Sequence, residues 1–140
     1  VLEEPEMGLH PQAIKTIILQ VLELIQMGYK VVISTHSPVF LEFAWAFNLL
    51  NSHVKEEKNE ALLEMFDLSS ARSIKDKLNS IFNKSVHTYY FARKSGKVHS
   101  LDITSLDAGD DNPDISEWGG ISQFAGRVSE IVAKYMSADE

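Results

Sequence analysis

Two short apolar runs, each ending in residues able to do chemistry and separated by one amphipathic helix, constrain the fold of this chain more than any other feature. The first is Val1-Leu2, which runs into Glu3-Glu4-Pro5. The second is Lys30-Val31-Val32-Ile33-Ser34-Thr35, which leads into His36-Ser37-Pro38. Between them Ile14, Ile17, Ile18, Val21, Leu22 and Ile25 recur at the spacing of one helical face. Pro11 opens that helix and Gly28 closes it, each at the end where it is favoured. Strand, helix and strand in this order predict a βαβ unit with parallel strands. The β-branched run, with little alternation, predicts a second strand buried on both faces.

The remaining elements follow from the same signals. Ser37 is suited to cap, and Pro38 to start, a second helix reaching about Leu50, in which Val39, Phe40, Leu41, Phe43, Trp45, Phe47 and Leu49 leave little polar surface and predict burial. Residues 51–60 are polar and read as a loop or exposed turn. Ser70 is expected to cap a third helix, with Ala71, Ile74, Leu78, Ile81 and Phe82 on one face. Val86–Ala92 and Val98–Ile103 read as a hairpin across the basic segment Arg93-Lys94-Ser95-Gly96-Lys97. An acidic loop, Leu106–Glu117, then leads to a closing helix marked by Ile121, Phe124, Ala125, Val128, Ile131, Val132 and Tyr135. The expected fold class is α/β: parallel strands with covering helices, a late β-hairpin and a C-terminal helix.

Composition narrows the function classes. Hydrophobic residues are 44% and charged residues 24% of 140, enough apolar chain for a core and too little bias for a disordered or low-complexity class. With no cysteine there is no disulfide framework, thiolate metal site or thiol nucleophile. The net charge of −7 argues against a globally basic nucleic-acid binder. It hides a pattern, however: residues 1–71 hold 10 acids against 4 lysines, residues 72–97 hold 7 basic residues against Asp76, and residues 98–140 hold 9 acids against Arg127 and Lys134. The most apolar stretch, Pro38–Leu50, is too short to span a bilayer and is interrupted by Glu42 and Asn48, and no secretory signal opens the sequence. No membrane partner and a cytoplasmic location are expected. The sequence begins without Met, in what reads as the tail of a strand, so a longer natural protein is expected.

Ligands of α/β sheets bind at the carboxyl ends of parallel strands, and this is where the two runs place their polar residues. Adjacent strand residues point to opposite faces, so Glu3 and Glu4 are suited to different tasks, one facing a Mg²⁺ shell and the other an attacking water. Alone, Glu-Glu-Pro also suits a solvated turn. His36 precedes a helix N-terminus, where backbone N–H groups favour an anion and a neutral imidazole can donate a hydrogen bond to a phosphate oxygen. Alone, it also suits a packed or capping histidine. The 32 positions from Glu4 to His36 are what one helix and one return strand require to bring the two to neighbouring strand ends.

Taken together, Leu2-Glu3-Glu4-Pro5-Glu6-Met7-Gly8-Leu9-His10-Pro11 and Ile33-Ser34-Thr35-His36-Ser37-Pro38 resemble the Walker B, D-loop and switch-histidine segments of ABC-type ATPases. The wording is most similar to the soluble prokaryotic group related to the overcoming-lysogenization-defect and SMC-like ATPases, and the resemblance covers residues 1–40. It implies the C-terminal part of a P-loop ATPase core, with ATP and Mg²⁺ as its ligands. By position, Glu3 resembles the Walker B acid that holds the metal, Glu4 the catalytic glutamate that polarises water, and His36 the switch histidine at the γ-phosphate. Gly8, Leu9 and His10 occupy the D-loop, which in the family crosses the dimer interface, so a homodimer is implied. Glu3 and His10 stand where transporter-type members carry Asp. The resemblance also implies a single partial domain over 1–140, made of a Walker B to switch-histidine βαβα unit over 1–50, a helical insertion over 51–85, and the hairpin and C-terminal helix over 86–140.

What the sequence lacks matters equally. None of its seven glycines begins a G-x-x-x-x-G-K-[ST] phosphate loop. The missing N-terminal ATPase half is therefore an expected partner, and these 140 residues alone are expected neither to bind ATP tightly nor to hydrolyse it. Asp107, Asp110, Asp111, Asp114 and Glu117 do not fit a calcium loop, because Gly109 and Trp118 fall at ligand positions. No G-x-S-x-G context surrounds Ser34, Ser37 or Ser95, and no nuclease-type Asp-x-Asp pair is evident. The basic residues Arg72, Lys75, Lys77, Lys84, Arg93, Lys94 and Lys97, close to Tyr89, Tyr90 and Phe91, leave nucleic-acid contact as an alternative. In that alternative the chain is a non-catalytic dimerisation or nucleic-acid-contacting module whose ATPase motifs are relics.

Overall fold

The computed structural model describes residues 1–53, 57–68, 78 and 80–136. The fold is mixed α/β and divides into two compact units, Val1–Val86 and His87–Glu140. Ser70, Ala71 and Ile74 of the expected third helix, and Arg72, Lys75 and Lys77 of the basic band, lie outside the described residues.

The first unit opens with β1 (Leu2–Glu3), α1 (Pro11–Gln26) and β2 (Ile33–Ser34). The strands pair in parallel, Leu2 opposite Ile33 and Glu3 opposite Ser34, with Leu2 N donating to Val32 O (2.8 Å) and Glu4 N to Ser34 O (2.9 Å). The βαβ unit expected from the hydrophobic pattern is thus formed. On α1, Ile14, Ile18, Val21 and Leu22 are buried, as their spacing requires. Its end is a Schellman cap: Tyr29 N donates to Leu24 O and Gly28 N to Ile25 O, with Gly28 at φ +93°, a conformation glycine adopts without steric cost.

The second strand departs from the expectation of burial on both faces. Ile33 packs against the core, whereas Val32 and Ser34 are exposed. A two-stranded sheet covered by helices on one side gives alternate residues opposite environments, and β-branching alone does not distinguish the two cases.

Helix α2 (Pro38–His53) starts where expected, Ser37 Oγ accepting from Val39 N at 3.3 Å, and runs past Leu50. It buries Phe40, Leu41, Ala44 and Phe47 but leaves Trp45 and Leu49 exposed, so its burial is one-sided rather than complete. Of the segment read as a polar loop over 51–60, residues 51–53 end α2 and residues 58–60 begin α3 (Lys58–Met65), while 54–56 lie outside the described residues. The Ser52 hydroxyl donates a hydrogen bond shared between Asn48 O and Leu49 O, and Leu62 and Leu63 anchor α3 in the core. Packing overrides the local polarity there. Phe47 lies at the centre, its ring stacked on Phe82 at 4.9 Å and 5.9 Å from Phe43.

The second unit contains β3 (Tyr89–Lys94) and β4 (Lys97–Asp102), antiparallel, with Tyr89 opposite Asp102 and Lys94 opposite Lys97. The expected five-residue connection is shorter. Ser95 (φ +52°) and Gly96 (φ +78°) form a two-residue turn with positive φ at both positions, the geometry that matches strand twist. Arg93, Lys94 and Lys97 therefore belong to the strands. Thr88 N donates to Thr104 Oγ1 (2.9 Å), and Ile103 and Leu106 are buried. The acidic stretch holds a short helix, α4 (Pro113–Ser116), capped by Asn112, whose side chain accepts from Asp114 N. Trp118 Nε1 donates to Leu106 O at 2.9 Å, and the Tyr90 ring lies so close to Gly119 that a Cβ there would sit 2.5 Å from Tyr90 Cδ2. Helix α5 (Gln123–Met136) closes the unit.

Candidate functional site

The carboxyl ends of β1 and β2 carry the residues singled out by sequence. Glu3 is exposed on the strand, and Glu4 follows it in a left-handed conformation, φ +41°. A non-glycine residue held there costs of order 1–3 kcal/mol, and such strain collects at functional turns. Two successive turns complete the loop, Met7 N donating to Glu4 O (3.0 Å) and Leu9 N to Glu6 O (2.9 Å). Gly8, at φ +74°, supplies the second left-handed position. These turns end at His10, which caps α1: its Nδ1 accepts from Gln12 N at 3.3 Å. Gly8, Leu9 and His10 are all exposed.

Across the strand pair, His36 Nε2 lies 3.3 Å from Glu4 Oε1. The His36 side chain is 84% exposed and that of Glu4 34%, so the imidazole reaches from open surface onto a half-sheltered carboxylate. The parallel register and one crossover helix bring together two residues 32 positions apart. Glu3 is not part of this contact.

A residue that sequence reasoning passed over anchors the arrangement. Glu6 Oε1 accepts from the Thr35 hydroxyl and from His36 N at 3.0 Å, while Thr35 Oγ1 in turn accepts from Ser37 N at 3.0 Å. Its other oxygen, Oε2, is buried with no hydrogen-bond partner. Burial pushes the Glu6 carboxyl up, but the Thr35 hydroxyl and the backbone N–H groups of Glu6, His36 and Ser37 outweigh it and hold the group below the ordinary carboxylate range. The one sequence signal was its place in the Glu-Glu-Pro-Glu wording; its partners lie 29 and 30 residues away.

The donor set suits a hard cation. Glu3 and Glu4 offer accessible carboxylate oxygens, and Mg²⁺ is commonly held by one or two carboxylates with substrate phosphates and water completing its shell. No group of three or more metal-ligating side chains occurs among the described residues. In the second unit the acidic side chains serve the backbone: Asp107 Oδ1 accepts from Gly109 N and Asp110 Oδ1 from Asn112 N, both at 2.8 Å. Among the described residues no helix is long and apolar enough to cross a membrane.

Residues 1–42 match the protein family described as "AAA domain, putative AbiEii toxin, Type IV TA system". The matched stretch ends just beyond His36 and so contains both strand ends of the site. This similarity supports a nucleotide-binding, ATPase-type segment at the start of the chain. Neither a curated protein nor a solved structure matches the chain significantly.

Proposed function

We propose that residues 1–42 are the Walker B, D-loop and switch-histidine part of an ATP-hydrolysing site of the ABC type, in the soluble prokaryotic group related to the overcoming-lysogenization-defect and SMC-like ATPases. The observation that carries this reading is the approach of His36 Nε2 to Glu4 Oε1 at neighbouring parallel strand ends. A carboxylate in that position is suited to accept a proton from, and so orient, a water attacking a γ-phosphate. His36, at the N-terminus of α2, is suited to donate a hydrogen bond to the charge developing on the phosphoryl oxygens. Mg²⁺, when held by Glu3, supplies neutralisation of the phosphate charge. In this reading the phosphate loop comes from the missing N-terminal ATPase half of the intact protein, and Gly8, Leu9 and His10 face a second copy in a homodimer.

The test is reconstitution. Supplied with the segment that precedes Val1 in its natural gene, the protein turns over ATP in the presence of Mg²⁺, and Glu4→Gln lowers kcat by about 100-fold or more. The 140 residues alone turn over none. Undiminished turnover in Glu4→Gln rules the catalytic reading out.

A second reading, the non-catalytic module, is favoured by one feature of the hairpin. Tyr89, Phe91 and Arg93 share a face of β3, with Val98 on the same face of β4, and all four are exposed. Exposed aromatics at alternate strand positions beside a basic turn are suited to stack on the bases of a single strand. If Phe91→Ala weakens binding of a labelled oligonucleotide by about tenfold, this reading gains. If the parent chain shows no binding at low salt, it fails.

A further inference from the structure

We infer that Glu6 is the positioning residue of this site: its carboxylate ties the turn after β1 to the turn after β2 and so sets where His36 meets Glu4. The assignment rests on the reading of Glu4 and His36 as the working pair, and nothing in the motif resemblance gives Glu6 a role.

The geometry is a three-link chain with one centre. Ser37 N donates to Thr35 Oγ1, the Thr35 hydroxyl donates to Glu6 Oε1, and His36 N donates to the same oxygen. One carboxylate from the other strand's loop therefore holds Thr35 and the backbone of His36 directly, and Ser37 through the Thr35 hydroxyl. The chain continues into the helix, since Ser37 Oγ accepts from Val39 N. Fixing the His36 backbone fixes the base of an otherwise exposed side chain, and its imidazole ends 3.3 Å from Glu4.

The cost of this arrangement argues that it does something. A glutamate on a surface turn gains most by facing water, as the neighbouring Glu3 does. Glu6 instead gives up rotamer freedom and leaves Oε2 buried and unpaired, although buried polar atoms are nearly always satisfied. Its own turn is also constrained, because Glu6 O accepts from Leu9 N and the strained Glu4 opens the loop. Residues 4 and 6 are two positions apart on one loop, and residues 35–37 form the other. The same crosslink thus places both members of the pair.

Amide hydrogen exchange and proton–proton contacts, measured by NMR on the 140-residue chain, test this directly. In Glu6→Ala the His36 N–H exchanges about tenfold faster and the contact between the His36 ring and the Glu4 side chain disappears. Glu6→Gln keeps an acceptor oxygen and restores part of the protection. Should Glu6→Ala not fold, Thr35→Val carries the test, since it removes one link while leaving Glu6 in place, and the ring contact weakens there too. Unchanged His36 exchange and an unchanged ring contact in Glu6→Ala, or in Thr35→Val if the former is unfolded, overturn the assignment. In the reconstituted ATPase, Glu6→Ala lowers kcat by about tenfold with the KM for ATP within about twofold, and Glu6→Gln recovers part of it. If Glu4→Gln leaves turnover unchanged while the NMR effects of Glu6 hold, the nucleotide reading falls and the positioning role stands. If Glu4→Gln abolishes turnover while Glu6→Ala moves neither kcat nor His36, the positioning role falls alone.

Discussion

The two units handle their apolar side chains in opposite ways. In Val1–Val86, the buried faces of α1, α2 and α3 meet one another, and Phe47, Leu62 and Leu63 are almost wholly enclosed. In His87–Glu140, Ile103 and Leu106 are buried and Trp118 bonds the Leu106 carbonyl, but the apolar residues of α5 are exposed: Phe124 is 79% exposed, and Val128, Ile131 and Val132 are also exposed. Phe91 on the hairpin is 68% exposed. The first unit therefore supports its site with its own core. The second is held by turn geometry and a few anchors, and it presents apolar surface that its own residues do not cover.

The contrast can be broken by mutation. Phe47→Ala removes a ring stacked on Phe82 from the centre of the first unit and is expected to cost about 3–5 kcal/mol in chemical denaturation followed by Trp45 fluorescence. A loss under about 1 kcal/mol there would show that this core is not what holds the unit. Gly119→Ala probes the second unit at its tightest point. The added methyl meets the Tyr90 ring and the backbone is left-handed at φ +66°, so a loss of about 2 kcal/mol is expected, read from Trp118 fluorescence.

Acidification probes one hydrogen-bonded carboxylate in each unit. The Glu6 carboxyl is held below its usual range in the fold, so its stabilising contribution is present above the unfolded value of 4.5 and is lost as pH falls through the folded value. The stability difference between the parent chain and Glu6→Gln should therefore narrow as pH drops below 4.5, and a difference that stays constant down to the folded value would refute the crosslink. Asp102 in the second unit is lowered too, by the hydroxyl and backbone N–H of Thr104, so it titrates in the same sense and serves as the control. The smallest effect belongs to Phe124→Ser: with the side chain this exposed, stability should change by no more than about 0.5 kcal/mol. A larger loss that grows with protein concentration would show that a second copy covers α5, and would erase the contrast between the units.

Much of the first unit was legible in the sequence because its signals are local. The isoleucine spacing of α1, the Pro11 and Gly28 punctuation and the Ser37 cap each depend on residues a few positions apart, and each appears as expected. The juxtaposition of Glu4 and His36 was legible for a different reason, since a parallel βαβ crossover leaves neighbouring strand ends as the one place for them. Where local reading failed, packing decided. Residues 58–60 belong to a polar stretch, yet they begin the helix that Leu62 and Leu63 bury in the core. The run Val31–Ile33 is uniformly apolar, yet only one side of it is covered.

The sequence by itself determined that this chain begins with a βαβ unit and that Glu3, Glu4 and His36 stand at its carboxyl edge, because hydrophobic period and chain length fix those outcomes. Only the tertiary structure decided that Glu6 turns inward to hold Thr35 and His36, and that the apolar residues of α5 stay as exposed as its polar ones. Whether a side chain faces protein or water depends on what distant segments bring beside it, and periodicity carries no record of that.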